Sequence, residues 1–238
     1  MTGTLLNVLT ILVGSILGAR FGERLPEKVR DSVLSVLGLF TIAIGLKMSF
    51  ESQNSLITLG SLLVGGLLGE WWGIEDALKR LGAWLEARYA RSSSPGDSNR
   101  FIKGFVSASL LFCTGPMAIL GSIQDGLSGD FQLLAIKSVL DGFASLAFAA
   151  TTGIGVIFSA VMVLIYQGAF SLMATQADAV LTQAMIQEMT AAGGLLIMGL
   201  GVGVLLELRP IRVSNFLPAL AIAPVIVAVL HAIGITGF

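Results

Sequence analysis

Apolar runs long enough to cross a hydrocarbon core, about 17 to 25 residues each, recur along the chain with polar breaks between them. They fall near residues 3–19, 32–50, 55–72, 101–121, 132–150, 153–174, 189–206 and 214–235. This pattern predicts an all-α fold, a polytopic transmembrane helical bundle of about eight spans forming a single integral membrane domain over 1–238. The first run is retained rather than cleaved in this reading. MTGTLLN carries no basic residue, and charges begin only after the run, at Arg20.

One stretch has a different rhythm. In IEDALKRLGAWLEARYARSSSPGDSNR, Leu78, Leu81, Trp84, Leu85 and Tyr89 line one helical face, and Lys79, Arg80, Glu86 and Arg88 line the other. An amphipathic helix near 74–91, lying along the cytoplasmic membrane surface, is expected. The following SSSPGDSN reads as a loop of turn-forming residues.

Composition removes the soluble alternatives. The chain has 238 residues, 55% hydrophobic and 12% charged, whereas soluble domains carry about 25% charge; it lacks the polar surface to cover a water-soluble globule. Its 29 glycines suit helices whose backbones approach closely. A single Cys113 excludes an internal disulfide, and with a single His231 it leaves too few soft ligands for a zinc or iron–sulfur site. No cofactor and no metal site is assigned.

Charge placement orients the spans. Arg20, Arg24, Lys28 and Arg30 follow the first; Lys79, Arg80, Arg88, Arg91, Arg100 and Lys103 surround the long connection after the third; Arg209 and Arg212 follow the seventh. These twelve of the 14 basic residues fall on one side of an eight-span chain, while the opposite loops hold Glu51, Asp125, Asp130, Asp178 and Glu188. The basic side is therefore read as cytoplasmic and both termini as extracytoplasmic. The same bias explains the basic helix near 74–91 without nucleic acid as a partner.

LVGSILGARFG (12–22) and LVGGLLGEWWG (63–73) match at an offset of 51 residues, with glycines every fourth position, Gly14-Gly18-Gly22 and Gly65-Gly69-Gly73. IMGLGVGVLLE (197–207) echoes them with Gly199 and Gly203. These glycine zippers suggest a copied helical hairpin, with composition alone as the competing explanation. They would serve contacts within one chain or in a homo-oligomer equally well.

The polar positions inside the apolar runs carry the candidate chemistry. Gly115-Pro116 interrupts span four, because proline removes a backbone donor, and the freed carbonyls then need partners from protein or water. Cys113 and Thr114 are adjacent, and QDGLSGD after them, with Gln124 and Asp125, reads as a short outer loop. In AIKSVLDGFASLAFA, Lys137 and Asp141 stand at i and i+4 on one face. Lys47, near a span end, can snorkel to the headgroups, but Asp141 is mid-span on a one-carbon stem. Gln167 adds a polar group in span six. Tyr166 suits an interfacial anchor, and Asn7 a bond to a neighbouring helix. Glu70 and Glu207 end spans three and seven, where Arg20 and Arg209 could pair with them.

CTGPMAILGSIQDGLSGD, KSVLDGFASLAFAATTGIGVIFSA, YQG and the N-terminal GTLLNVLTILVGSILGARFGERLP resemble the uncharacterised YqgA-like family of prokaryotic multi-pass membrane proteins over nearly the whole chain. The resemblance implies an integral protein of the prokaryotic plasma membrane. Gly115, Pro116, Asp125, Gly126, Lys137, Asp141, Gly142 and Gln167 carry over as signature positions, without assigned roles.

No G-x-x-x-x-G-K-[ST] loop is present to hold ATP phosphates, nor an H-E-x-x-H. Ser138 adjoins Lys137, but helical neighbours point about 100° apart, which argues against a hydrolytic dyad. An enzyme is not expected. Two readings stand. One is a secondary transporter or channel for a small ion or solute, its midplane site built from Cys113, Thr114, Gly115, Pro116, Gln124, Asp125, Lys137, Asp141 and Gln167. The other is a membrane scaffold or sensor subunit with no substrate pathway.

Overall fold

The computed structural model describes residues 1–22, 24–90 and 95–234, which are almost wholly helical and contain no strand. The expected loop at SSSPGDSN lies partly outside the described residues, as do Arg91 and the side chains of Arg30 and Tyr89. Seven helices among the described residues are long and apolar enough to cross a bilayer, and a bent pair brings the number to eight. Large apolar side chains, Leu5, Leu9, Val13 and Leu17 on the first helix and Leu56, Leu59, Leu63 and Leu67 on the third, stand exposed. That is the surface a lipid environment requires. The chain divides into two compact units.

The first unit comprises Met1–Leu37, Leu78–Cys113 and Met117–Ala177. Within it, α1 (Thr2–Gly22) lies along α7 (Gln132–Thr152). Gly14 rests on the Gly142 carbonyl, Gly18 on that of Leu146 and Gly22 on that of Ala150, so each four-residue step in α1 meets a four-residue step in α7. The helices are therefore parallel, as the first and fifth of successive spans, with three crossings between them, must be. A Cβ at any of these three glycines would strike backbone.

α5 (Pro95–Cys113) and α6 (Pro116–Ser128) are the bent pair, their axes turned by 60°. Pro116 opens α6, where a missing amide costs nothing because first-turn amides have no helical partner. The expected break in span four is thus a helix end followed by a new start. The expected outer loop at QDGLSGD is much shorter: Gln124–Ser128 form the last turns of α6, and Gly129, at φ 73°, ends it. Packing explains the difference, since Gly126 sits against the Ser171 carbonyl and the Ser171 hydroxyl donates to the Ser122 carbonyl.

After α7, Gly153 (φ 88°) turns the chain into a 3-10 segment, Ile154–Phe158, that leads into α8 (Ser159–Leu172). Gly155 lies on the Phe101 carbonyl, which holds this turn against α5. The amphipathic stretch is α4 (Ile74–Leu85), extended by a π-helical turn over Glu86–Ala90. Gly82 rests on Ile102 and Phe105, while Leu81 and Trp84 are exposed.

The second unit comprises Gly38–Ala77, Thr114–Pro116 and Asp178–Phe238. α2 (Glu27–Ser49) enters it at Gly38 and packs on α10 (Gln183–Leu200), with Gly45 against Gly194 and the Gly38 carbonyl against Gly201, an antiparallel pairing. α3 (Ser55–Trp72) is antiparallel to the segment leading through Val213–Phe216 into α11 (Ala219–Ala232): Gly65 meets Ala219 and Gly69 meets Asn215. The short α9 (Ala174–Val180) joins the units in sequence. The likeness between 12–22 and 63–73 is therefore one of single helices. Their partners run in opposite senses, and the third glycine differs: Gly22 packs, whereas Gly73 is a left-handed C-cap at φ 64° with open space where a Cβ would be. Glu70 pairs with Arg212 at 2.9 Å, not with the arginines expected from sequence position.

Candidate functional site

The close seam between α1 and α7 sets Asn7 opposite Asp141. The Asn7 Nδ2 donates to Asp141 Oδ2 at 2.9 Å, and the Lys137 ammonium binds the same Oδ2. Lys137 is 5% exposed, Asp141 7% and Asn7 0%. From α5, the Phe112 ring faces the ammonium with its centroid 5.9 Å from Nζ, and Cys113 lies within electrostatic reach of both charges.

Each charge placed alone at the centre of a membrane helix would cost about 2.5–3.5 kcal/mol on insertion scales. The i,i+4 pairing removes much of that cost, and Asn7 supplies a further donor to the carboxylate. Asn7 has to present its NH2 to Asp141, since the reverse orientation would set two oxygens against each other. Its Oδ1 is left buried with no hydrogen-bond partner among the described residues.

The other sequence candidates are placed differently. Gln167, on α8, is 0% exposed, and neither atom of its amide has a hydrogen-bond partner among the described residues. It belongs to the buried interior of the first unit but is not bonded to the ion pair. Asp125 is also buried, yet it serves the start of α1: Oδ2 accepts the Gly3 amide at 3.0 Å, and the Met1 amino nitrogen stands 3.0 Å from Oδ1, an ion-pair contact without hydrogen-bond alignment. Gln124 is exposed on α6, outside the polar interior. Thr114, Gly115 and Pro116 belong to the second unit, where Gly193 rests on the Thr114 carbonyl. A Cβ at Gly115 would meet nothing within 4 Å, so that glycine serves the break and not packing.

Glu188 was expected in an outer loop. It lies instead within α10 at 0% exposure. Its Oε1 accepts the Gln53 amide at 2.8 Å and the Asn54 amide at 3.0 Å, and its Oε2 accepts the hydroxyls of Ser52 and Thr58, both at 2.8 Å. Nothing near Glu188 in the sequence signals this role; the matching need lies more than 120 positions away, where Asn54, the N-cap of α3, bonds the Leu56 amide and the amides of Gln53 and Asn54 need an acceptor.

These features define a multi-pass helical membrane protein with a charged pair buried in the interior of one unit. The chain belongs to the family described as "Protein of unknown function (DUF554)", which matches residues 2–228. It is 30% identical to the "Uncharacterized membrane protein YdfK" of Bacillus subtilis (strain 168), over 99% of both chains. It is 31% identical to the "Uncharacterized protein YqgA" of Escherichia coli (strain K12), over 93% of this chain and 94% of that one. No solved structure matches.

Proposed function

We propose that the protein is a secondary transporter or channel for a small ion or solute in the prokaryotic plasma membrane, with both termini extracytoplasmic. Its polar site is the Lys137–Asp141–Asn7 cluster beside the broken α5–α6 span. The observation that carries this reading is Asn7 Oδ1. A pair retained only for stability would be expected to close its hydrogen bonds, because a buried acceptor without a donor costs about 1–3 kcal/mol. Here an unpartnered acceptor adjoins an intramembrane carboxylate, and Gln167 holds two more unpartnered atoms in the same unit.

The scaffold reading has less support. The glycine zipper faces it would use for other subunits are occupied within the chain, with Gly14, Gly18, Gly22, Gly65 and Gly69 all pressed against neighbouring backbone. No catalytic role is assigned, and the partners are the lipid bilayer and the transported species.

The test is flux in reconstituted vesicles, with a panel of labelled alkali ions, methylammonium and small polar solutes. The double change Lys137→Leu with Asp141→Leu removes both charges together and so leaves no unpaired ion to unfold the bundle. We expect this variant to fold and to carry no flux. Flux retained in the well-folded double variant would rule out the site.

A further inference from the structure

The chemistry of the ion pair points to what it binds. Asn7 and Lys137 both engage Oδ2 of Asp141 and neither engages Oδ1. The Asn7 amide oxygen is buried with no donor. The surplus around Lys137 is therefore of oxygen acceptors, which call for a cation or a donor-bearing ligand. We propose that Asp141 and Asn7 form a binding site for a monovalent cation, either an alkali ion or a small protonated amine, and that Lys137 is a tethered competitor that occupies it when the ligand is absent.

Three observations support this assignment. First, the Asp141 carboxylate already holds a primary ammonium, that of Lys137, so this half of the site is complementary to such a group, and the Asn7 oxygen is not engaged by it. Second, the ammonium keeps one favourable contact off the carboxylate: the Phe112 ring already lies 5.9 Å from Nζ, within the range at which an aromatic face attracts a cation. Third, the ligands are hard oxygens, the donor type that hard cations take, and the single carboxylate among them balances a single positive charge. A divalent ion asks for six to eight oxygens, usually with several carboxylates, and the described residues contain no group of three acidic, His or Cys side chains able to hold one. Asn7 from α1 and Phe112 from α5 contact the pair, and neither carries a charge that competes for the ligand.

The incoming ion takes the carboxylate, which therefore never stands uncompensated in a low-dielectric interior, but it also adds one positive charge there. The displaced Lys137 ammonium is left with the Phe112 ring alone, and the cost of that stranded charge is what makes Lys137 a competitor. This proposal rests on the reading of the cluster as the transport site, but its test is equilibrium binding to purified protein. Binding without flux would remove the transport reading and leave this one standing.

The experiment titrates wild type, Lys137→Gln, Lys137→Arg and Asp141→Asn in lipid nanodiscs with NaCl, KCl and methylammonium chloride. Choline chloride holds the ionic strength and serves as the bulky control. Heat and thermal midpoint are read in parallel. Lys137→Gln removes the competitor while keeping a hydrogen-bonding side chain, and we expect it to bind tenfold or more tightly than wild type. Lys137→Arg keeps a permanent forked cation on the carboxylate and should bind more weakly than wild type. Asp141→Asn should bind nothing. The preferred salt identifies the source: saturation by Na+ or K+ marks an alkali ion, and saturation by methylammonium alone marks an amine. Equal affinity in the wild-type, Gln and Arg proteins, saturable binding retained in Asp141→Asn, or no saturable binding in any protein would each overturn the proposal. The Arg variant keeps the charge pair and folds even if the Gln variant does not, so the order of wild type and Arg remains decisive.

Discussion

Glu188 and Thr58 share a buried contact, the Thr58 hydroxyl donating to Oε2 at 2.8 Å, which ties α10 to the first turns of α3. The same carboxylate takes the Gln53 and Asn54 amides, so one side chain satisfies donors that helix geometry leaves without partners.

Replacing Glu188 with Ala should therefore destabilise the second unit through the donors it abandons, at about 1–3 kcal/mol for each one left dry. Glu188→Gln should recover only part of this, because its NH2 would face amide and hydroxyl donors. Thermal unfolding in detergent should rank wild type above Gln above Ala. Equal midpoints for all three would mean that water reaches these donors and that the carboxylate is dispensable.

Much of the architecture was legible in the sequence. Apolar runs located the spans, and Gly115-Pro116 located the break, because backbone chemistry there acts locally. The acidic residues at span ends were not legible. Hydropathy ended a span wherever charge began, so Asp125 and Glu188 were read as loop residues, although both lie in helices and are buried. Their donors, Gly3 and residues 52–58, stand more than 120 positions away. Lys137 and Asp141 could be paired from spacing alone. That Asn7 completes the cluster depends on the α1–α7 register, and nothing in the sequence near Asn7 states it.

That register should be sensitive to any added side chain. At Gly18 a Cβ would collide with the Leu146 backbone, which cannot move without shifting α7. Gly18→Ala should cost about 1–3 kcal/mol, as overpacking does elsewhere. Gly60→Ala, where the nearest atom is an Ile226 methyl at 3.8 Å, should stay within about 0.5 kcal/mol. Chemical denaturation of the two variants in parallel checks the contrast, and a comparable loss in both would show that generic helix effects outweigh the seam.

The proposed orientation makes a separate claim. In a Cys113→Ser background, a cysteine at Asp130, exposed beyond α6, should react with an impermeant maleimide added to intact cells. One at Arg80, exposed on α4, should react only after permeabilisation. Labelling in the reverse pattern would invert the topology while leaving the fold intact.

The ion pair itself should show strong thermodynamic coupling. Asp141→Asn removes the only carboxylate bonded to Lys137 among the described residues and leaves an ammonium 5% exposed with the Phe112 ring as its remaining favourable contact. Breaking a buried pair on one side costs about 3–5 kcal/mol, whereas replacing both partners with apolar residues of similar size is often neutral or stabilising. Asp141→Asn should therefore lower stability sharply, and Lys137→Leu with Asp141→Leu should restore most of it. Asn7→Leu should fall between, since it deprives the carboxylate of one donor but leaves the ammonium in place. A double-mutant cycle on unfolding in mild denaturant would measure the coupling. Were the two single losses simply to add in the double variant, the charges would not be compensating each other, and each would have to be solvated separately by water entering the interior of the first unit.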